Sequence, residues 1–354
     1  MFAYVGCYTA PDRGGRGAGI AVYRIAEGSG DWTPVEIVAG VGNPAFLALD
    51  SAQRHLYAVH GGEFGAVSAY VRDAQTGRLT LLNTQLTGGR NPVHLDFDGT
   101  GRLLAVANYT AGTVAALPIA ADGRLSPPSD VLDQRGEAGP HRVEQTSAHP
   151  HHSPFDPARR FLVVPDKGLD RLFIYRPDAT TGKLAPHDPP SLATHPGAGP
   201  RHIAFHPRAP YAYVVNELDS TVTTYAYEPE EGILHPQGVV PTLPPDFAGA
   251  NTGSEIAVHL SGRFLYASNR GHDSIAIFAI GANDGALTPR GWTPSGGETP
   301  RFFGLDPAGT MLYAANQGSD TIVAFRIDAA SGALTPTGQT ITTGSPVCIV
   351  FAAA

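Results

Sequence analysis

Cysteine is nearly missing from this chain: Cys7 and Cys348 are its two thiols in 354 residues. A disulfide-dense scaffold is thereby excluded, and a reducing compartment is expected. Positive charge is also short, 24 Lys and Arg against 32 Asp and Glu, for a formal charge of −8. Nucleic acid and anionic membrane surfaces therefore fall away as main partners. No apolar run reaches membrane-spanning length. The first residues, Met1 to Gly6, lack the basic leader of a secretory signal and read as a strand. A cytoplasmic protein is expected. What the chain has in excess is 42 Gly and 31 Pro, too many for a helical protein and suited to short strands joined by turns.

Those strands repeat. Around Pro44 the chain reads NPAFLALDSAQRHLYAVH, and the same frame returns at Pro92, Pro150, Pro200, Gly253 and Pro300, at spacings of 47 to 58 residues. A seventh anchor, Pro346 in SPVCIVF, lies eight residues from the end. Six residues past the anchor stands Asp50, Asp98, Asp156, His206, His259 or Asp306. Ten further on stands His60, Asn108, Asp166, Asn216, Asn269 or Asn316. A third strand follows each pair, and then a Gly-x-Leu turn such as Gly77/Leu79 or Gly285/Leu287 that starts a fourth. The C-terminus supplies a first strand, Val347–Phe351. The N-terminus supplies the second, third and fourth, Phe2–Gly6, Gly19–Tyr23 and Trp32–Ile37. The whole chain, 1–354, thus predicts one all-β, seven-bladed β-propeller of four antiparallel strands per blade, with one blade closed by both termini. Sharing a blade between the ends removes the open sheet edge.

In such a ring the residue after each anchor and the residue seventeen after it point to one mouth. The first set is Ala45, Val93, His151, Arg201, Ser254, Arg301 and Val347; the second is Gly61, Tyr109, Lys167, Glu217, Arg270 and Gln317, with Cys7 in the split blade. Ionisable residues gather in blades three to six, which favours a specific small ligand over uniform scaffolding. Bland readings compete. The repeated Asn residues satisfy turn backbone, and Arg201 with Glu217 also reads as a structural ion pair. His206 and His259 fall in exposed turns at the other end. The His149-Pro-His-His152 run invites a metal, but adjacent strand residues face opposite ways and no cysteine or paired carboxylate completes a site. No metal and no cofactor is expected. Two long segments, Ser126–His149 and Gln237–Gly253, are read as walls or a partial lid over the mouth.

The residues YVGCYT, PHRVEQTSAHPHHSPFDP, DKGLDRLFIY, GAGPRHIAFHP, VNEL, SNRGHDSIAIF and SPVCIVF are spread along nearly the whole chain. Together they resemble the seven-bladed lactonase family, which holds the propeller-type 6-phosphogluconolactonases and the 3-carboxy-cis,cis-muconate lactonizing enzymes. The resemblance implies catalytic roles for His151, Arg201, Glu217 and Arg270. Around them His149, Gln145, His202, Tyr109, Arg301 and Gln317 are expected to contact substrate. Cys7 departs from the family, which usually has Thr there. The expected activity is hydrolysis of a small anionic sugar-acid lactone, with Glu217 or His151 activating water and the arginines stabilising the oxyanion. Charge on Glu217 is expected to survive burial because two arginines face it, leaving proton delivery to His151. Muconate cycloisomerisation and a non-catalytic ligand-binding propeller remain the alternatives, since one fold hosts several functions. Nothing in the pattern sets an oligomeric state.

Overall fold

The computed structural model describes residues 1–62, 64–178 and 180–354. Among them, seven antiparallel sheets are formed, each a run of chain-consecutive strands except one. That exception joins the two ends: Phe2–Cys7 pairs on one side with Ile20–Ile25 and on the other with Pro346–Ala352, Phe2 opposite Ala352 and Gly6 opposite Cys348. The ring is closed in the register the repeats predict. All six residues of Phe2–Cys7 are buried, as an inner strand flanked by two others must be.

Neighbouring blades are fastened by a device that recurs around the ring. Tyr4, Tyr57, Tyr213 and Tyr266 each donate the phenol hydrogen bond to a carbonyl of the next blade, Gly77, Gly123, Gly285 and Gly332, over 2.8 to 3.0 Å. Each acceptor is the glycine of a Gly-x-Leu turn. At Gly77, φ is +78°, and a Cβ there would stand 2.3 Å from the Phe2 ring. Both left-handed backbone and close aromatic packing thus demand glycine. Between blades, apolar faces interdigitate. Tyr57, Val59 and Val67 of blade one, for example, form one cluster with Leu95, Leu104 and Val106 of blade two.

The recurring Asp or His six residues past each anchor clasps the turn to the second strand. Asp306 Oδ1 accepts from the amides of Thr310 and Met311, and His206 Nδ1 from those of Arg208 and Ala209. His259, expected in an exposed turn, is instead buried, its Nε2 2.7 Å from the Gly309 carbonyl of the next blade. The Asn residues bracket backbone as read from the sequence: Asn269 and Asn316 donate to the carbonyls of Thr242 and Ser295.

Blade three departs from regularity. Its inner segment keeps only two bridges, Pro150 to Asp166 and Phe155 to Leu162, beside the three strands Leu162–Asp166, Arg171–Asp178 and Lys183–Ala193. Pro150 and Pro154 bring no N–H to the ladder. Among the described residues no helix is long and apolar enough to cross a membrane.

Candidate active site

The mouth residues are aimed by breaks in the ladder. In blade four Pro200 pairs with Asn216 and His202 with Val215, so Arg201 is skipped. The same slip leaves out Val93 in blade two, Arg301 in blade six and Val347 in the split blade. A bulge leaves its extra residue unpaired and turns its side chain away from the strand's alternation. Here it sends that residue into the central channel. In the split blade Cys7 pairs with Pro346 as Asn216 pairs with Pro200, so its thiol faces the core between blades and Tyr8, the next residue, takes the channel position that Glu217 has in blade four. The expectation of Cys7 at the mouth is corrected accordingly. Cys348, opposite Gly6, packs on the other face, and both thiols are free.

A cavity of about 290 Å³ opens at this mouth, with Tyr109, His151, Lys167, Glu217, Arg270 and Arg301 in its wall. Larger grooves, about 550 and 820 Å³, lie along blade edges elsewhere and gather no comparable cluster of cations around an acid. Glu217 is the hub. Its Oε1 accepts from Lys167 Nζ at 3.0 Å, while Oε2 stands 3.0 Å from Arg201 Nε and 3.1 Å from Arg270 Nη2. The Arg201 contact is an ion pair without an aligned hydrogen bond. Both arginines are also tied to backbone, Arg201 Nη1 to the Ser254 carbonyl and Arg270 Nη2 to that of Gly253. Lys167 reaches Glu144 Oε2 at 2.8 Å as well.

Burial alone would raise the pKa of Glu217, but Arg270, Lys167 and Arg201 together hold it far below the usual carboxylate range. The carboxylate is ionised, as expected, by three cations rather than two. Burial and the repulsion of Arg270 and Arg301 pull Arg201 down to about 9, so it stays charged at neutral pH. His151 is the opposite case. Burial first, and then Arg201, Arg301 and Lys167, keep its imidazole well below its ordinary value, so it is neutral. Its Nδ1 is buried with no partner. A neutral imidazole is a ready proton acceptor and a very weak acid, which does not suit the expected role of His151 as proton donor.

Below the cavity the channel narrows to about 10 Å³, room for a single water at most. A layer of rings fills it: His152 stacks on His202 at 4.2 Å and meets His94 at 3.9 Å. His202 Nδ1 lies 3.0 Å from Glu255 Oε1, and burial lifts that carboxyl to about 7. The site is therefore a blind pocket open on one side.

Of the expected substrate contacts, Tyr109 and Arg301 line the cavity. His149 stacks on Tyr109 at 4.6 Å and meets its carbonyl at 3.1 Å, placing it behind the wall. His202 lies beneath, in the throat. Gln145 is buried and donates to the Lys167 carbonyl and Asp170 Oδ1, which makes it an anchor of the loop 139–149 and not a wall residue. Gln317 reaches the carbonyl of Arg13 at 3.4 Å and supports that arginine from outside. Of the two long segments, the first contains the outer strand Asp130–Asp133 and then brings Glu144 to Lys167. The second does not cover the cavity; its Thr242 and Asn251 bond to Asn269 and Ser220. Lys167, Arg13 and Tyr8 were not singled out from sequence. Lys167 stood in the mouth set, and Tyr8 is the split blade's counterpart of Glu217, each following the residue that pairs with the anchor proline, whereas Arg13 depends on a loop fold that no periodicity encodes. Among the described residues, no group of three or more His, Cys, Asp or Glu is arranged to hold a metal.

Comparison with known proteins agrees with this architecture over its whole extent. The chain is 37% identical over 305 residues to a 6-phosphogluconolactonase of Bacillus subtilis, covering 86% of this chain and 84% of that one. The structure of a periplasmic gluconolactonase from Pseudomonas aeruginosa superposes with a TM-score of 0.92 at 31% identity, covering 100% of this chain and 99% of the other. A protein from Bacteroides fragilis, provisionally assigned as a 6-phosphogluconolactonase, gives a TM-score of 0.92 at 32% identity, with 99% and 97% covered. The profile of the family described as lactonase, 7-bladed beta-propeller, matches residues 2–351, and the chain belongs to that family.

Proposed function

We propose that this lactonase hydrolyses a small anionic sugar-acid lactone of the kind its relatives are named for, 6-phosphogluconolactone, in the cavity around Glu217. One observation carries the reading: a neutral His151 shares that cavity with Glu217, one locked carboxylate on which three cations gather. Water attacks the lactone carbonyl while His151 takes its proton. The oxyanion that forms is met by guanidinium and ammonium groups already oriented by Glu217 and backbone carbonyls, so no reorganisation is needed as charge develops. Collapse breaks the ring C–O bond, and the departing alkoxide recovers the proton from His151. The product carboxylic acid then ionises, releasing one proton per turnover. Glu217, engaged on both oxygens, positions the cations and is a weak base.

The whole chain, 1–354, works as one unit in this reading, because the ring needs both ends. The two free thiols favour a reducing compartment such as the cytoplasm. The test is acid release at constant pH above the uncatalysed rate across a panel of sugar-acid lactones, with muconates followed in parallel by ultraviolet absorbance. Turnover of a sugar-acid lactone is expected. Turnover of a muconate with every lactone inert would replace the reading by cycloisomerisation, and no turnover of either would leave a binding protein.

A further inference from the structure

Three of the cations at the mouth are spoken for by Glu217; two are not. Arg13 and Arg301 both approach the ring of Tyr8, 5.7 and 5.3 Å from its centroid. Among the described residues, neither guanidinium is ion-paired with a carboxylate. Tyr8 itself is 3% exposed. Burial would raise its pKa, but Arg301, Arg13 and Arg201 outweigh that and lower it, a measure of how much uncompensated positive charge meets there. Both arginines line the cavity that holds Glu217 and His151. Arg13 also lines an adjoining lobe of about 470 Å³, with Arg90 and the exposed Asp12 on its rim. The wall between the two lobes carries Asn91, whose Oδ1 is buried without a partner while its Nδ2 donates to Thr110 Oγ1.

We infer that Arg13 and Arg301, carried on Tyr8, form a second anion subsite that takes a phosphomonoester arm of the substrate, with Asn91 Oδ1 accepting from a hydroxyl on the chain between. Two planar forks that, among the described residues, have no carboxylate partner suit the three oxygens of a phosphate better than a neutral polyol end. The cation–π contacts hold both side chains without consuming their charge. This inference rests on the lactonase reading for the position of the lactone ring, but the subsite can be judged without turnover.

Two measurements test it: kcat/KM for glucono-1,5-lactone and for its 6-phosphate, and calorimetric titration with 6-phosphogluconate and inorganic phosphate. Each is made on wild type, Arg13→Ala and Arg13→Lys, with folding checked by circular dichroism. The wild type should prefer the phosphorylated lactone, and Arg13→Ala should lower that preference at least tenfold, chiefly through KM, with Arg13→Lys between. The 6-phosphogluconate affinity should fall in parallel. If Arg13→Ala does not fold, Arg301→Gln takes its place in the same comparison. A preference ratio and an affinity unchanged by the substitution overturn the inference. If neither lactone is hydrolysed, the lactonase reading fails and calorimetry decides the subsite alone: binding lost with Arg13 upholds it, equal binding ends it.

Discussion

Arg201 and Glu217 face each other at 3.0 Å, Nε to Oε2, although the ladder of their hairpin skips Arg201. The slip frees the arginine from the alternation of its strand and lets it meet the carboxylate that ends the next. Glu217→Gln removes the one negative charge that three cations share. It should slow lactone hydrolysis roughly a hundredfold, the scale of a small misplacement of oriented groups. Stability should fall by about 3 kcal/mol or more, because buried cations then repel each other uncompensated. Acid-release kinetics beside urea unfolding check both. Full activity on every lactone the wild type hydrolyses would remove Glu217 from the mechanism.

In the proposed mechanism His151 acts in its neutral form, and burial with three nearby cations keeps its pKa well below 6.5. The acid limb of kcat/KM should therefore sit below pH 6.5, with activity lost only as the imidazole protonates. Lys167 is one of the charges that depress it. Lys167→Met should move that limb upward as well as slow the reaction. His151→Asn should cost roughly a hundredfold to ten-thousandfold in rate, the range for a lost general base. A limb that stays in place in Lys167→Met would count against His151 as the titrating group.

The two arginines should not tolerate lysine. Arg201 spans Glu217 and the Ser254 carbonyl, and Arg270 spans Glu217 and the Gly253 carbonyl, each with a different nitrogen or a shared one of the fork. A single ammonium cannot reproduce that reach. Arg201→Lys and Arg270→Lys are each expected to lower kcat tenfold or more while leaving the fold intact by circular dichroism. Wild-type kcat in both would show that only charge matters there.

Asp166 holds the place that Asn108, Asn216, Asn269 and Asn316 fill in other blades. Its Oδ1 accepts from the amides of His149, Gly168 and Leu169, while Oδ2 is buried without a partner. Burial raises its pKa from 3.8 to about 7. The folded state therefore keeps a proton that the unfolded state has lost, and this group's contribution to stability declines as pH rises from about 4 to about 7. Asp166→Asn should flatten that decline and stabilise the protein at pH 8 by about 1–3 kcal/mol, because a neutral amide replaces a carboxylate that is ionised and desolvated there. Unfolding at several pH values measures it; a variant less stable than wild type at pH 8 would contradict the assignment.

Ending the chain at Ser345 removes the strand Pro346–Ala352 and bares one edge of the fully buried Phe2–Cys7. An exposed, flat, apolar edge is a template for pairing with other chains. The shortened protein should aggregate or lose its cooperative thermal transition, as read by size-exclusion chromatography and calorimetry. A monomer melting like the full chain would mean that closure contributes little.

The repeats at Pro44 through Pro346 determined the blade count, the shared blade and the end of the ring at which Arg201, Glu217 and Arg270 would gather. They did so because strand alternation and hairpin pairing are local, and seven copies of one frame leave little freedom. Tertiary structure decided what those residues can do. A bulge at Arg201 and its counterparts aims side chains that simple pairing would have hidden, and the pairing of Cys7 with Pro346 leaves Tyr8 where Cys7 was expected. Which cations surround Glu217, and whether His151 carries a proton, depend on distances between blades fifty or more residues apart. Charge and burial act through space, so the carboxylate's ionisation was settled only when Arg270, Lys167 and Arg201 closed around it, and the imidazole's neutrality only when it was buried beside Arg201, Arg301 and Lys167.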